Sequence, residues 1–216
     1  AEVSAESDLV LRARVLNGLG VVEIREDRNS DGERDFDEAI DLLEKRHDQP
    51  ALLGQAYTGR AVAFASQGHL DLATADFSRA RIALQLAGDT LALGRVEANE
   101  AVVDGKRGHY AEALAGDLRA AQRFQRFGAL NEQVSTLTNA AEAQLMLLRP
   151  ADALATSERS WPLPGRLEDP IAIHNYLAQR TQVLLANSTG LGGSLTLLAY
   201  VNMVGVLLAS WMAFDA

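Results

Sequence analysis

Five times the chain repeats nearly the same five residues: Phe36-Asp-Glu-Ala-Ile, Leu70-Asp-Leu-Ala-Thr, Tyr110-Ala-Glu-Ala-Leu, Pro150-Ala-Asp-Ala-Leu and Leu191-Gly-Gly-Ser-Leu. The small residue of each falls at Ala39, Ala73, Ala113, Ala153 and Ser194, with spacings of 34, 40, 40 and 41. A period in this range is the signature of stacked helical hairpins, each of which buries an apolar face against the next. The small residue recurs because the two helices of a hairpin approach closely there, and a larger side chain would hold them apart.

Helical spacing of apolar residues, interrupted by glycine and proline, divides the chain into hairpins of about residues 8–46, 50–86, 89–127, 129–160 and 169–205. The first pair reads as helices Leu9–Glu26 and Arg34–Arg46 joined by a polar turn, Asp27–Glu33, inserted ahead of the phrase. Pro50 and Pro150 open helices, where a missing N–H costs nothing. Gly128 stands just past a helix end, and Asp89 is placed to cap the next helix. Trp161-Pro-Leu-Pro-Gly165 breaks the pattern, and Asp169-Pro170 restarts it.

Within the pairs, residue types keep their places. Asn99 and Asn139 each precede the small residue by fourteen positions, and Gly68 and Gly108 precede the second helix. In this order of Asn, turn Gly, aromatic or Leu, and Ala-Leu, the chain resembles the tetratricopeptide repeat (TPR) family. The likeness is strongest over residues 50–160, in the longer-helix variant found in regulatory arms of bacterial signalling proteins and transcription factors. It implies one all-α domain over residues 1–216, a right-handed superhelical solenoid of about five antiparallel hairpins. It also implies a groove lined by the first helix of each hairpin, which takes a protein or peptide partner without catalysis. Carried over by register, the groove positions include Gln55, Thr58, Val62, Arg95, Asn99, Lys106, Ser135, Thr138, Glu142, Tyr176 and Asn187. Arg95, Asn99 and Lys106 form a positive feature suited to an acidic side chain. The alternative is a ligand- or partner-sensing arm of a larger signalling or transcription protein.

Composition narrows the partner. The net charge of −9 is concentrated in residues 1–48, which hold 14 acids and 7 bases, and the later bases are interspersed with acids. Without a basic stripe, nucleic acid is not the expected ligand. The absence of cysteine removes disulfides, thiolate metal sites and a cysteine nucleophile. It fits a reducing cytoplasm, and the first residues carry no signal-peptide pattern. The four histidines show no metal spacing, Gly190–Gly193 lacks the Lys-Ser/Thr of a phosphate loop, and no nucleophile elbow occurs. No enzyme is expected, and no cofactor apart from the ion considered next.

Two segments stand outside the repeat logic. Asp27, Asn29, Asp31, Asp35 and Glu38, with Gly32 between them, fit the spacing of a calcium loop. The same residues also read as an acidic hairpin turn whose carboxylates satisfy backbone donors. Leu195–Phe214 is twenty residues without a charge. It reads as a buried helix, as a contact between copies in a homo-oligomer, or as a membrane span, the last disfavoured by Asn202 and by the lack of Lys or Arg beyond Arg180.

Overall fold

The structure, a computed structural model, describes residues 2–46, 48–160, 178–180 and 182–184. The described helices are α1 (Glu2–Arg25), α2 (Asn29–Glu44), α3 (Pro50–Ser66), α4 (Leu70–Ala87), α5 (Thr90–Lys106), α6 (Tyr110–Phe127), α7 (Leu130–Met146) and α8 (Pro150–Ser160). There is no strand among the described residues. The chain forms two compact units, residues 1–103 and 104–216, with the boundary in the last turn of α5. In the first unit α1 packs on α2, α2 on α3 and α3 on α4; in the second, α6 packs on α7 and α7 on α8.

The turns explain why the helices stop where they do. Gly88 and Gly128 end α4 and α6 with φ of 68° and 67°, the left-handed conformation that glycine adopts without a Cβ penalty. Asp89 then caps α5, its Oδ1 accepting from the Ala92 N–H at 2.9 Å. Inside the hairpins Asp27, Gly68, Gly108 and Leu148 take the same left-handed conformation. Each is followed by a residue whose N–H reaches back five positions: Arg28 to Glu23, His69 to Phe64, His109 to Asp104 and Arg149 to Gln144, at 2.8–2.9 Å. This 6→1 closure is the Schellman motif, and it satisfies a helix-end carbonyl that would otherwise be orphaned.

The four turn residues are 41, 40 and 40 apart, and five positions beyond them lie Gly32, Ala73, Ala113 and Ala153. The register expected for the first hairpin is therefore corrected by seven residues. Gly32, not Ala39, holds the small position, and the irregular first interval becomes 41. A Cβ on Gly32 would stand 2.9 Å from the Gly20 carbonyl oxygen and 3.1 Å from Ile24 Cγ1. Glycine is there for the close approach of α1 and α2, not for a loop. Ala39 belongs with Ala80 and Ala120, all fully buried. The acidic stretch is no insertion, since α2 starts at Asn29 instead of Arg34. α1 also begins earlier than expected, at Glu2, and leaves Leu9 and Leu19 exposed while Ala13, Asn17 and Gly20 are buried.

Leu148 is the one large apolar residue among these left-handed turns, and its side chain is 88% exposed. It carries the steric cost of the conformation and contributes no burial in return. Leu148→Gly is expected to raise stability by about 0.5–1 kcal/mol, the relief of strain reduced by the greater freedom of glycine in the unfolded chain. Thermal denaturation of the variant beside the parent measures this, and an unchanged or lower midpoint would contradict it.

Of the fifth expected hairpin, Ala178–Arg180 and Gln182–Leu184 are described and helical, and Val183 is buried with Ala141 and Ala153. The apolar segment 195–214 lies outside the described residues. Among those described, no helix is long and apolar enough to cross a membrane.

Candidate groove in the first unit

α1, α3 and α5 present one face each to a cavity of about 720 Å³ in the first unit. Along α1 the lining residues are Arg14, Asn17, Gly18, Val21, Ile24 and Arg25, which recur at steps of three and four and return to one helix face after eleven residues. α3 contributes Leu52, Gln55, Thr58, Gly59 and Val62; α5 contributes Ala92, Arg95 and Asn99. The floor is Phe36 of α2, 1% exposed. Its ring fits because two glycines flank it: a Cβ on Gly20 would lie 2.8 Å from the ring, and one on Gly59 2.3 Å. The glycines thus let a second-helix aromatic reach under the first helices and form an apolar base.

The polar groups at the wall differ in how fully they are satisfied. Thr58 Oγ1 donates to the Gly54 carbonyl at 2.7 Å, so it turns inward to its own helix. Asn17 is 8% exposed, and its Nδ2 donates to the Leu52 carbonyl at 3.2 Å. Its Oδ1 is buried without a hydrogen-bond partner among the described residues. Arg14 and Arg25 are exposed, and neither forms an ion pair among the described residues.

Five of the positions expected from the sequence, Gln55, Thr58, Val62, Arg95 and Asn99, come together around this cavity. Lys106 lies in the last turn of α5, in the residue range of the second unit. Ser135, Thr138 and Glu142 stand on α7 of that unit; Ser135 and Glu142 are exposed, and Thr138 Oγ1 donates to the Val134 carbonyl at 2.9 Å. Tyr176 and Asn187 lie outside the described residues. α1 is not among the expected contributors, because the family's groove positions carry over only from the second hairpin onward. Its signal was present in the chain: 41 residues before Gln55, Thr58 and Val62 stand Arg14, Asn17 and Val21.

The five acidic-stretch residues are not gathered round a point. Asp27 is the left-handed turn residue, and its Oδ1 accepts from Asn29 Nδ2 at 3.0 Å. Asn29, Asp31, Asp35 and Glu38 stand along α2, where the seven residues from Asp31 to Glu38 rise about 10 Å. Asp31 pairs with Arg34, and Glu38 with Arg12. No group of three or more acidic or histidine side chains is placed to hold a metal among the described residues. The calcium-loop spacing is therefore laid out as helix, because α2 begins five residues earlier than the sequence suggested.

No protein-family model matches the chain, and no curated protein matches it. Solved structures do. BtubC (BKLC) from P. vanneervenii is 16% identical, with 99% of this chain and 91% of that one covered at a TM-score of 0.76. The nearly identical TPR-like repeats of a Podosopora anserina protein of the kinesin-light-chain kind are 9% identical, with 95% and 97% covered at a TM-score of 0.72. Aspartyl phosphate phosphatase F from Bacillus subtilis is 14% identical at a TM-score of 0.76, with 98% of this chain but 54% of that one covered. With hairpins of matching length, Schellman turns in register and these neighbours, the chain has the fold of the TPR-like helical-repeat proteins.

Proposed function

We propose that the chain is a non-catalytic scaffold that binds a peptide or protein segment in the groove of α1, α3 and α5. The observation that carries this reading is the cavity itself, with its apolar base of Phe36, Val21, Ile24, Leu52 and Val62 and polar groups spaced around it. A site of this size and lining holds a few side chains of a partner, and its polar groups set their order. Nothing about it requires a nucleophile, a metal or a phosphate cradle. In this reading the protein acts in the cytoplasm.

A photoreactive benzoylphenylalanine placed at Gln55, inside the groove, tests this against the same group at Ala75 on α4. Crosslinking in cells of origin should yield a discrete adduct from Gln55 and none from Ala75. Adducts from Ala75 alone would move the binding face elsewhere. A second reading, a regulatory arm in which the bound partner biases an effector, rests on the occurrence of this fold as about half of the longer phosphatase F. The two readings share the groove and part after the binding step.

A further inference from the structure

We infer that the occupant of this groove is an extended peptide segment that carries two acidic side chains on one face, four or six residues apart, with an aliphatic side chain between them. The inference rests on the groove being the binding site. Arg14 and Arg25 are eleven residues apart on α1, three helical turns, so both guanidinium groups project from the same face about 16 Å apart along the axis. Both line the cavity, and neither is neutralised by a carboxylate of the described residues. This occurs in the most acidic part of a chain of net charge −9, where residues 1–48 hold twice as many acids as bases. Two unpaired arginines among so many available carboxylates mark where an anionic partner group is accommodated.

Between them the wall is apolar: Val21 and Ile24 from α1, Leu52 and Val62 from α3, and the Phe36 ring beneath. An aliphatic side chain held there exchanges water for close contact on several sides. The backbone state of the peptide follows from Asn17, which stands between the two arginines. Its Nδ2 is committed to the Leu52 carbonyl, and Oδ1 is an acceptor with no donor. A small outward shift of this side chain brings the buried acceptor to the groove, where an extended chain offers unpaired main-chain N–H groups and a helix interior has already used its own. In an extended strand, side chains on one face recur every second residue at about 6.6 Å. Carboxylates four or six residues apart therefore span about 13 or 20 Å, which bracket the arginine separation within the reach of flexible side chains.

Fluorescein-labelled nonapeptides test this by anisotropy. One set carries two Glu residues at separations from three to seven, with Leu two residues after the first Glu so that it shares that face, and a control replaces both Glu by Gln. The expected result is tightest binding at separations of four and six, at least tenfold tighter than the Gln control. Arg14→Glu/Arg25→Glu should lose that binding and gain affinity for the peptide with Lys in place of Glu. Because both arginines are exposed, circular dichroism and melting of the double variant should match the parent. Equal binding of the Gln control, abolished by Val62→Asp, would overturn the charge assignment and leave the groove intact. Binding indifferent to Val62→Asp as well as to the arginines would overturn both. Failure of every nonapeptide to bind would overturn the inference, and the crosslinking at Gln55 would still decide the groove.

Discussion

Asp117→Asn is expected to stabilise the protein at pH 8 by about 2–5 kcal/mol and to leave it unchanged near pH 4. The reason begins with register. Phe36 and Phe77 are 41 residues apart, each 1% exposed, and forty residues further the same position holds Asp117, 2% exposed. A carboxyl thus occupies a place that the first two hairpins fill with an aromatic ring. Its Oδ1 has no hydrogen-bond partner among the described residues. Burial, helped by the nearby Glu142 charge, pushes the acid from an ordinary value of 3.8 up to about 8. The folded state then binds a proton that the unfolded chain has released, so stability falls as pH rises from about 4 to about 8 and levels off above. Asparagine has no proton to lose and removes that slope. Glu142→Gln should act in the same direction, and less. Thermal midpoints of parent and Asp117→Asn measured from pH 4 to pH 9 settle the matter: parallel curves would show that Asp117 is not the buried acid described.

Much of this fold was legible in the sequence, because the punctuation is chemical and local. Pro50, Pro150, Gly88, Gly128 and Asp89 each act on the backbone beside them, and the helix ends next to them follow within a residue or two, whereas α1 and α2 begin seven and five residues before the expected Leu9 and Arg34. What was not legible depends on contacts between helices. Gly32 looks like a loop glycine in one dimension, and only the approach of the Gly20 carbonyl shows that it serves a helix crossing. The phrase at Phe36 imitates the repeat signature seven residues late, since two helical turns bring back the same face. That one shift concealed the alignment of Arg14, Asn17 and Val21 with the groove. It also concealed Asp117, whose meaning lies in standing where Phe36 and Phe77 stand. The groove residues of α3 and α5 were legible only through the family resemblance, whose first-helix positions carry over by register once the period is known.

The opposite response is expected from the other buried carboxylate. Asp76, on α4, is 1% exposed, yet it is held on both oxygens. Arg60 of α3 donates through Nε to Oδ2 at 2.6 Å and through Nη2 to Oδ1 at 3.0 Å, and Arg79 adds Nη1 to Oδ1 at 2.8 Å. Arg60 also reaches Asp37 of α2 at 2.7 Å, so a single guanidinium ties α2, α3 and α4 together. Its Cζ lies 5.5 Å from the Tyr57 ring centroid and 5.8 Å from that of Phe64. Removing it leaves a buried charge with one exposed partner. Arg60→Ala should therefore destabilise by about 3–5 kcal/mol, among the largest losses available to one substitution in this chain. Arg60→Lys keeps the charge but not the two-pronged geometry, and should recover part of the loss. The decisive comparison is the double variant Arg60→Met/Asp76→Leu, which removes both charges and refills the space. It should be less destabilised than Arg60→Ala, because the cost of the single change lies mainly in the stranded Asp76 and not in the missing bond. Urea unfolding of the parent, Arg60→Ala, the singles Arg60→Met and Asp76→Leu, and the double measures the coupling directly. If Arg60→Ala costs less than about 1 kcal/mol, Asp76 is solvated in solution and this three-helix tie does not hold the first unit.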